Sequence, residues 1–318
     1  MRSHPLTVIA MTLVLATVLG AAPALAGYKG FERGQSLITV QELKDLVDAS
    51  DPNLVIIAVT KDLTYKAGHI PGAVQTWRPD YEPKEGDPFP YEGMMLNRAQ
   101  FQDFARNLGV NNDSKVVIYD DKYDATRVWW GFYLFGKTDC RVLDGGYQAW
   151  KAAGFDTDRS LFGGGAESKG NFTASEPLPG WLATMHEAWE AKTNPDLQLW
   201  DNREKKEWTG EELKKGAYRK GRIPWAKFLN WKEFKTSVAE GEPPTAFKTA
   251  DEIQKVIDAH GMDKNKRQLF YCQSGVRTTT LIFGLYLMGW DPANLGNYDG
   301  SWIEWSYFDK NPITTEAE

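Results

Sequence analysis

Short apolar runs alternate along this chain with stretches whose apolar positions recur at helical spacing, and the whole alternation occurs twice. Leu54 to Val59 and Val116 to Tyr119 read as buried strands in the first half, and Leu197 to Trp200 and Leu269 to Tyr271 in the second. Thr39-Val40-Gln41-Glu42 and Thr184-Met185-His186-Glu187 fit the Thr-x-x-Glu capping box that opens a helix. Asn97-Arg98-Ala99-Gln100 and Thr249-Ala250-Asp251-Glu252 are further N-caps. Phe101, Phe104 and Leu108 follow the first of these at helical spacing, and Ile253, Val256 and Ile257 the second.

Two pairs of similar words complete the repeat. Trp130 to Gly136 matches Phe283 to Gly289, each ending in the glycine that stops a helix, and Asp144 to Trp150 matches Asp299 to Trp305. Four matches in the same order define a repeat of about 150 residues. Strands alternating with helices indicate an α/β fold: two tandem domains, each a parallel sheet flanked by helices. The segment 163–179, rich in glycine, serine and proline, reads as a linker between domains at 35–162 and 180–311. The insert 79–93, with Pro83, Pro88 and Pro90, reads as a surface loop of the first.

Residues 1–26 change the picture of where the chain works. Arg2, the apolar stretch Leu6 to Leu19 and Ala24-Leu25-Ala26 form a secretory signal with cleavage before Gly27. The stretch is only marginally apolar enough to span a bilayer, and no later segment is, so the expectation is an exported, periplasmic or secreted protein with no membrane span after cleavage. Cleavage removes one cation and takes the formal charge from −6 to −7, which argues against nucleic acid as a partner. Two cysteines, Cys140 and Cys272, do not make a disulfide scaffold. Cys140, just before Val142-Leu143, reads as core.

Cys272 lies between the strand Leu269 to Tyr271 and a helix starting near Arg277, beyond the carboxyl end of a sheet strand, where α/β proteins bind ligands. In Cys272-Gln273-Ser274-Gly275-Val276-Arg277 a short turn can present successive backbone N–H groups to an anion, and the following helix N-terminus adds positive potential. Such a setting, with Arg277 as a neighbouring cation, favours a thiolate. Gly275 suits a positive φ or a close backbone approach. A buried structural cysteine, the bland alternative, explains neither the polar loop nor the arginine. Cysteine phosphatases and arsenate reductases use a loop one residue longer. No metal or nucleotide signature is present, and His4, His69, His186 and His260 are scattered.

Both halves resemble rhodanese domains of the tandem thiosulfate and 3-mercaptopyruvate sulfurtransferases. The first carries Gly68-His69-Ile70-Pro71-Gly72-Ala73 and Asp144-Gly145-Gly146-Tyr147 followed by Trp150. The second carries Asp201-Asn202-Arg203, Glu207, the Cys272 loop, and Asp299-Gly300-Ser301-Trp302 followed by Trp305. It departs from the pattern at Gly221-Arg222-Ile223-Pro224-Trp225-Ala226, where Trp225 reads as packing, and Ala58-Val59-Thr60 departs in the first half.

The resemblance implies a reactive C-terminal domain and a catalytically silent N-terminal one, in which Asp120 stands where cysteine would; Asp120, Asp121 and Asp124 read as a solvated loop or, alternatively, as facing the inter-domain cleft and influencing access. It implies double displacement through a Cys272 persulfide, with Gln273, Ser274, Gly275, Val276 and Arg277 binding the anion and Asp201 and Arg203 orienting the loop from behind. It implies a small-molecule sulfur donor and a thiol or cyanide acceptor, without a cofactor. Neutral Gln273 and Ser274 beside basic Arg277 are intermediate between the two donor preferences, and export favours thiosulfate. The alternative is a non-catalytic exported module that binds sulfur or selenium or docks on a periplasmic redox protein.

Overall fold

The computed structural model describes residues 27–84, 93–159 and 164–316. Residues 1–26, read from the sequence as a secretory signal, and most of the proline-rich insert lie outside them. All four N-caps form as the sequence anticipates. The side chains of Thr39, Asn97, Thr184 and Thr249 accept the N–H three residues on, and Glu42, Gln100, Glu187 and Glu252 reach back to the cap N–H.

The first half builds five parallel strands in the spatial order Leu37–Ile38, Arg141–Leu143, Lys115–Asp120, Leu54–Val59, Ala73–Thr76. The second repeats that order with Leu182–Ala183, Leu295–Tyr298, Arg267–Tyr271, Leu197–Asp201, Lys227–Phe228. Both central strand pairs are buried, as continuous Val, Ile, Leu and Phe runs require of a sheet covered on both faces. The second half adds an antiparallel hairpin, Lys235–Ser237 with Pro244–Phe247. Its Phe247 N–H donates to Asp144 of the first half (2.8 Å), so the hairpin is tied across the boundary.

Two helices, Asp124–Leu134 and Thr278–Leu287, follow the equivalent strands of the two halves and pack against each other, buried along their whole length. Thr126 Oγ1 lies 2.9 Å from Thr279 Oγ1 where they meet, and Trp129 packs edge-on to Phe283 with centroids 4.5 Å apart. Apolar residues all round a helix belong in a core, and here that core is shared: one cluster runs through both halves. Gly136 and Gly289, at φ 94° and 82°, lie just past these helices. The segment after residue 163 has no regular structure but packs on the first half, with Phe172 and Ala174 buried.

Candidate active site

The strand Arg267–Tyr271 is flanked on both sides by parallel neighbours, so its carboxyl end emerges in the middle of the sheet. Cys272 is the next residue, with 1% of its surface exposed. It is a free thiol, as is the buried core residue Cys140. Burial pushes the Cys140 thiol far up, which keeps it protonated and unreactive.

Three contacts pin the start of the loop. Cys272 N–H donates to Ser301 Oγ (3.1 Å), Trp302 N–H donates to Cys272 O (3.0 Å), and Ile303 N–H donates to Gln273 O (3.1 Å). Ser301 holds its hydroxyl there from a left-handed backbone (φ 51°), a local strain offset by the contacts it makes. Among the described residues, the N–H groups of Gln273 to Arg277 have no protein acceptor, which leaves them available to a bound anion. Gly275 has φ +69°, and a Cβ there would meet Asp299 Oδ1 at 2.5 Å and its carbonyl at 2.9 Å. Both reasons for a glycine therefore hold at this position.

Arg277, expected from the sequence as a cation beside the thiol, is held by a counter-charge the sequence does not reveal. Its guanidinium lies bidentate on Glu207, at 2.7 and 2.9 Å, and both side chains are buried. Burial alone would lower the Arg277 pKa; the Glu207 carboxylate reverses this and holds it above the ordinary value. Burial alone would likewise raise the Glu207 pKa, and Arg277 holds it below. Glu207→Gln is expected to cost roughly 3 kcal/mol of unfolding free energy in a urea titration, because it leaves a buried guanidinium without its counter-charge. A loss under about 0.5 kcal/mol would mean the pair behaves like an exposed one.

Asp201 and Arg203 form a second buried pair, through Nε at 2.9 and 3.0 Å. Arg203 also donates to Gly221 O (2.8 Å) and lies over the Trp302 ring, 4.5 Å from its centroid. Both side chains are buried, and the pair reaches the Cys272 loop through the Tyr271 and Trp302 rings beside Arg203 and through Glu207, whose carboxylate Arg203 helps Arg277 to hold charged. Trp225 packs on Trp189 and Trp305 and donates to Ala188 O (2.8 Å).

The loop opens into a cavity of about 430 Å³ lined by both halves. Arg78, Glu82, Gly93 and Tyr123 come from the first, and Glu204, Lys214, Lys215 and Trp231 join the Cys272 loop from the second. These residues carry no spacing signal relative to Cys272, and only the tertiary fold places them together. Arg127 is a further residue the sequence conceals: fully buried in the first half, it donates to Gly275 O (3.2 Å) and Gly93 O (2.8 Å) and pairs with Asp299.

Two of the three carboxylates in the equivalent loop of the first half are buried rather than solvated. Asp120 is buried, and its carboxylate accepts the N–H groups of Lys122 (3.1 Å) and Ala125 (2.5 Å) of its own loop. Burial pushes its pKa up to about 7, against the pull of buried Lys235 and the Ala125 N–H. Asp124 is buried on Arg78, and only Asp121 is partly exposed, accepting from Thr60. The fold draws these carboxylates inward because the loop's own amides and a neighbouring arginine satisfy them.

Comparison with known proteins agrees with this geometry. The rhodanese-like domain model matches residues 39–153 and 184–307. The thiosulfate sulfurtransferase of Gallus gallus is 30% identical over 76% of this chain and 79% of its own length. The 3-mercaptopyruvate sulfurtransferase of Mus musculus is 29% identical over 76% and 78%. The anaerobic ergothioneine biosynthesis enzyme of Chlorobium limicola superposes with a TM-score of 0.74 over 91% of this chain and 72% of that one, at 24% identity, a likeness of fold. With a matching sheet order in its two halves and a family model covering each, the chain belongs to the rhodanese-like family, in two copies of the domain, among the sulfurtransferases.

Proposed function

We propose that this protein moves a sulfane sulfur from thiosulfate to a thiol or cyanide acceptor through a persulfide on Cys272. The observation that carries the reading is the position of Cys272: at the carboxyl end of a central strand, on a cavity shared by both domains, in a loop whose N–H groups from Gln273 to Arg277 have no acceptor among the described residues. The Cys272 thiolate attacks the outer sulfur of the donor, a new sulfur–sulfur bond forms, and the donor's own sulfur–sulfur bond breaks with its electron pair leaving on sulfite. The acceptor nucleophile then attacks the outer persulfide sulfur and returns the thiolate, so one transfer is split into two displacements. Negative charge on thiolate, persulfide and donor is met by loop amides held in place before the donor arrives.

The first domain has no counterpart nucleophile, since the Asp120 carboxylate occupies its own loop's amides. In the same reading the chain is exported and cleaved before Gly27, a proposal that rests on the sequence of residues 1–26. No helix among the described residues is long and apolar enough to cross a membrane.

Incubation with thiosulfate is expected to add about 32 Da to the intact mass, on the Cys272 peptide, with one sulfite released per chain. No adduct, on protein whose Cys272 still reacts with an alkylating agent, would overturn the reading. 3-Mercaptopyruvate in parallel separates the two donors.

A further inference from the structure

The cavity above Cys272 needs a cation to hold an anionic donor, and the obvious one is spent. Both ends of the Arg277 guanidinium are engaged by Glu207. Lys214 pairs with Glu212 (3.0 Å), and Lys215, the other lysine on the cavity, makes no ion pair among the described residues, so nothing fixes its long side chain in a binding geometry. Arg78 is different. Its Nε donates to Asp124 (2.7 Å) and its Nη2 to Tyr123 Oη (3.3 Å), while Nη1 has no partner among the described residues. Asp124 is buried at the start of a core helix and also accepts from Tyr81 Oη (3.4 Å), so the guanidinium is held at one edge and open at the other. The Tyr123 ring, 5.6 Å from the guanidinium carbon, packs in turn edge-on to Trp231 across the domain boundary. A planar fork that is fixed on one side loses little freedom when it binds a sulfonate or carboxylate on the other.

We propose that Arg78, supplied by the first domain, binds the anionic head of the sulfur donor and so determines the preference for anionic donors at a site whose nucleophile belongs to the second. Thiosulfate fits this arrangement by its own polarity: the outer sulfur must meet Cys272, which turns the sulfonate oxygens away from it and into the cavity that Arg78 lines. The inference rests on the persulfide reading for its substrate, but not for its test. Anion recruitment to Cys272 can be measured with the thiol alone.

The experiment compares wild type, Arg78→Gln and Arg78→Lys. The first readout is the ratio of the alkylation rates of Cys272 by iodoacetate and iodoacetamide, which differ in charge and share one chemistry. The second is KM and kcat with thiosulfate. Arg78→Gln is expected to lower the iodoacetate to iodoacetamide ratio about 10-fold or more, and to raise KM for thiosulfate by about 10- to 100-fold with the loss falling on KM rather than kcat. Arg78→Lys, which keeps the charge beside Asp124 but loses the fork, is expected to raise KM by about 3- to 10-fold, and it decides the matter if the glutamine variant does not fold. An unchanged ratio and KM in a folded variant overturn the proposal, as does a loss confined to kcat, which would indicate a structural role. If wild type takes no sulfur from thiosulfate while its alkylation ratio depends on Arg78, the donor assignment fails and the anion site stands.

Discussion

Cys272→Ser is expected to abolish sulfur loading, with no gain of about 32 Da from thiosulfate and a transfer rate at least a thousandfold below wild type. A serine oxygen cannot form the sulfur–sulfur bond on which both displacements depend, and no second thiol can take over. Cys140 lies buried in the core of the first domain, with its thiol held protonated by burial. Cys140→Ser should therefore load sulfur as wild type does, at a cost of roughly 1 to 3 kcal/mol in stability for a hydroxyl placed in apolar surroundings. Cys272→Ser should melt close to wild type, because polar groups surround it and its backbone contacts to Ser301 and Trp302 do not involve the sulfur. Intact-mass spectra and melting curves of the two variants check this pair of outcomes. A sulfur adduct on Cys272→Ser would place the chemistry elsewhere.

What the sequence could tell about this site follows from the range of the interactions involved. The capping residues act within three positions of themselves, so Thr39, Asn97, Thr184 and Thr249 mark their helices without reference to the rest of the chain. The Cys272 loop is local too: strand, turn and helix start fall within a dozen residues, and the glycine demanded by its positive φ stands in place. Arg277 shows where such reading stops. Its charge is visible in the sequence, but Glu207 cancels it from 70 residues away, and only the fold brings the two together. Asp120 and Asp124 misled in the other direction. Acidic loop residues are solvated unless something satisfies them, and what satisfies Asp124 is an arginine 46 residues earlier, on the way out of an edge strand.

Arg127→Leu is expected to lower the transfer rate by at least tenfold and to cost about 3 to 5 kcal/mol of stability, although it lies in the domain without the nucleophile. Arg127 reaches from the first domain to three points around the loop, and it shares the Gly275 carbonyl with Asn297 (3.0 Å) and Thr278 (2.7 Å) of the second. It donates to the Gly275 carbonyl, to Asp299, and to the Gly93 carbonyl. Gly93 sits against Ser274 so closely that a Cβ on it would lie 2.3 Å from the Ser274 Cβ. Asp299 also accepts the Met95 N–H (2.6 Å) and fills the space that a side chain at residue 275 would need. Removing the guanidinium leaves the buried Asp299 carboxylate without its cation and releases the Gly93 side of the turn that presents the loop amides, while Asn297 and Thr278 keep their bonds to the Gly275 carbonyl.

Arg127→Lys does not restore this, since one ammonium cannot span three acceptors that a guanidinium fork reaches together. Coupling to Asp299 distinguishes positioning from simple destabilisation. In a double-mutant cycle with Asp299→Asn, the two losses in rate should overlap rather than add, because both substitutions release the same turn. Losses that add, or an Arg127→Leu variant with wild-type rate and stability, would show that the first domain does not support the Cys272 loop. A domain with Asp120 where its partner carries Cys272 is free to vary only where it does not touch that partner, and Arg127, at no exposure, touches it at the turn beside Cys272.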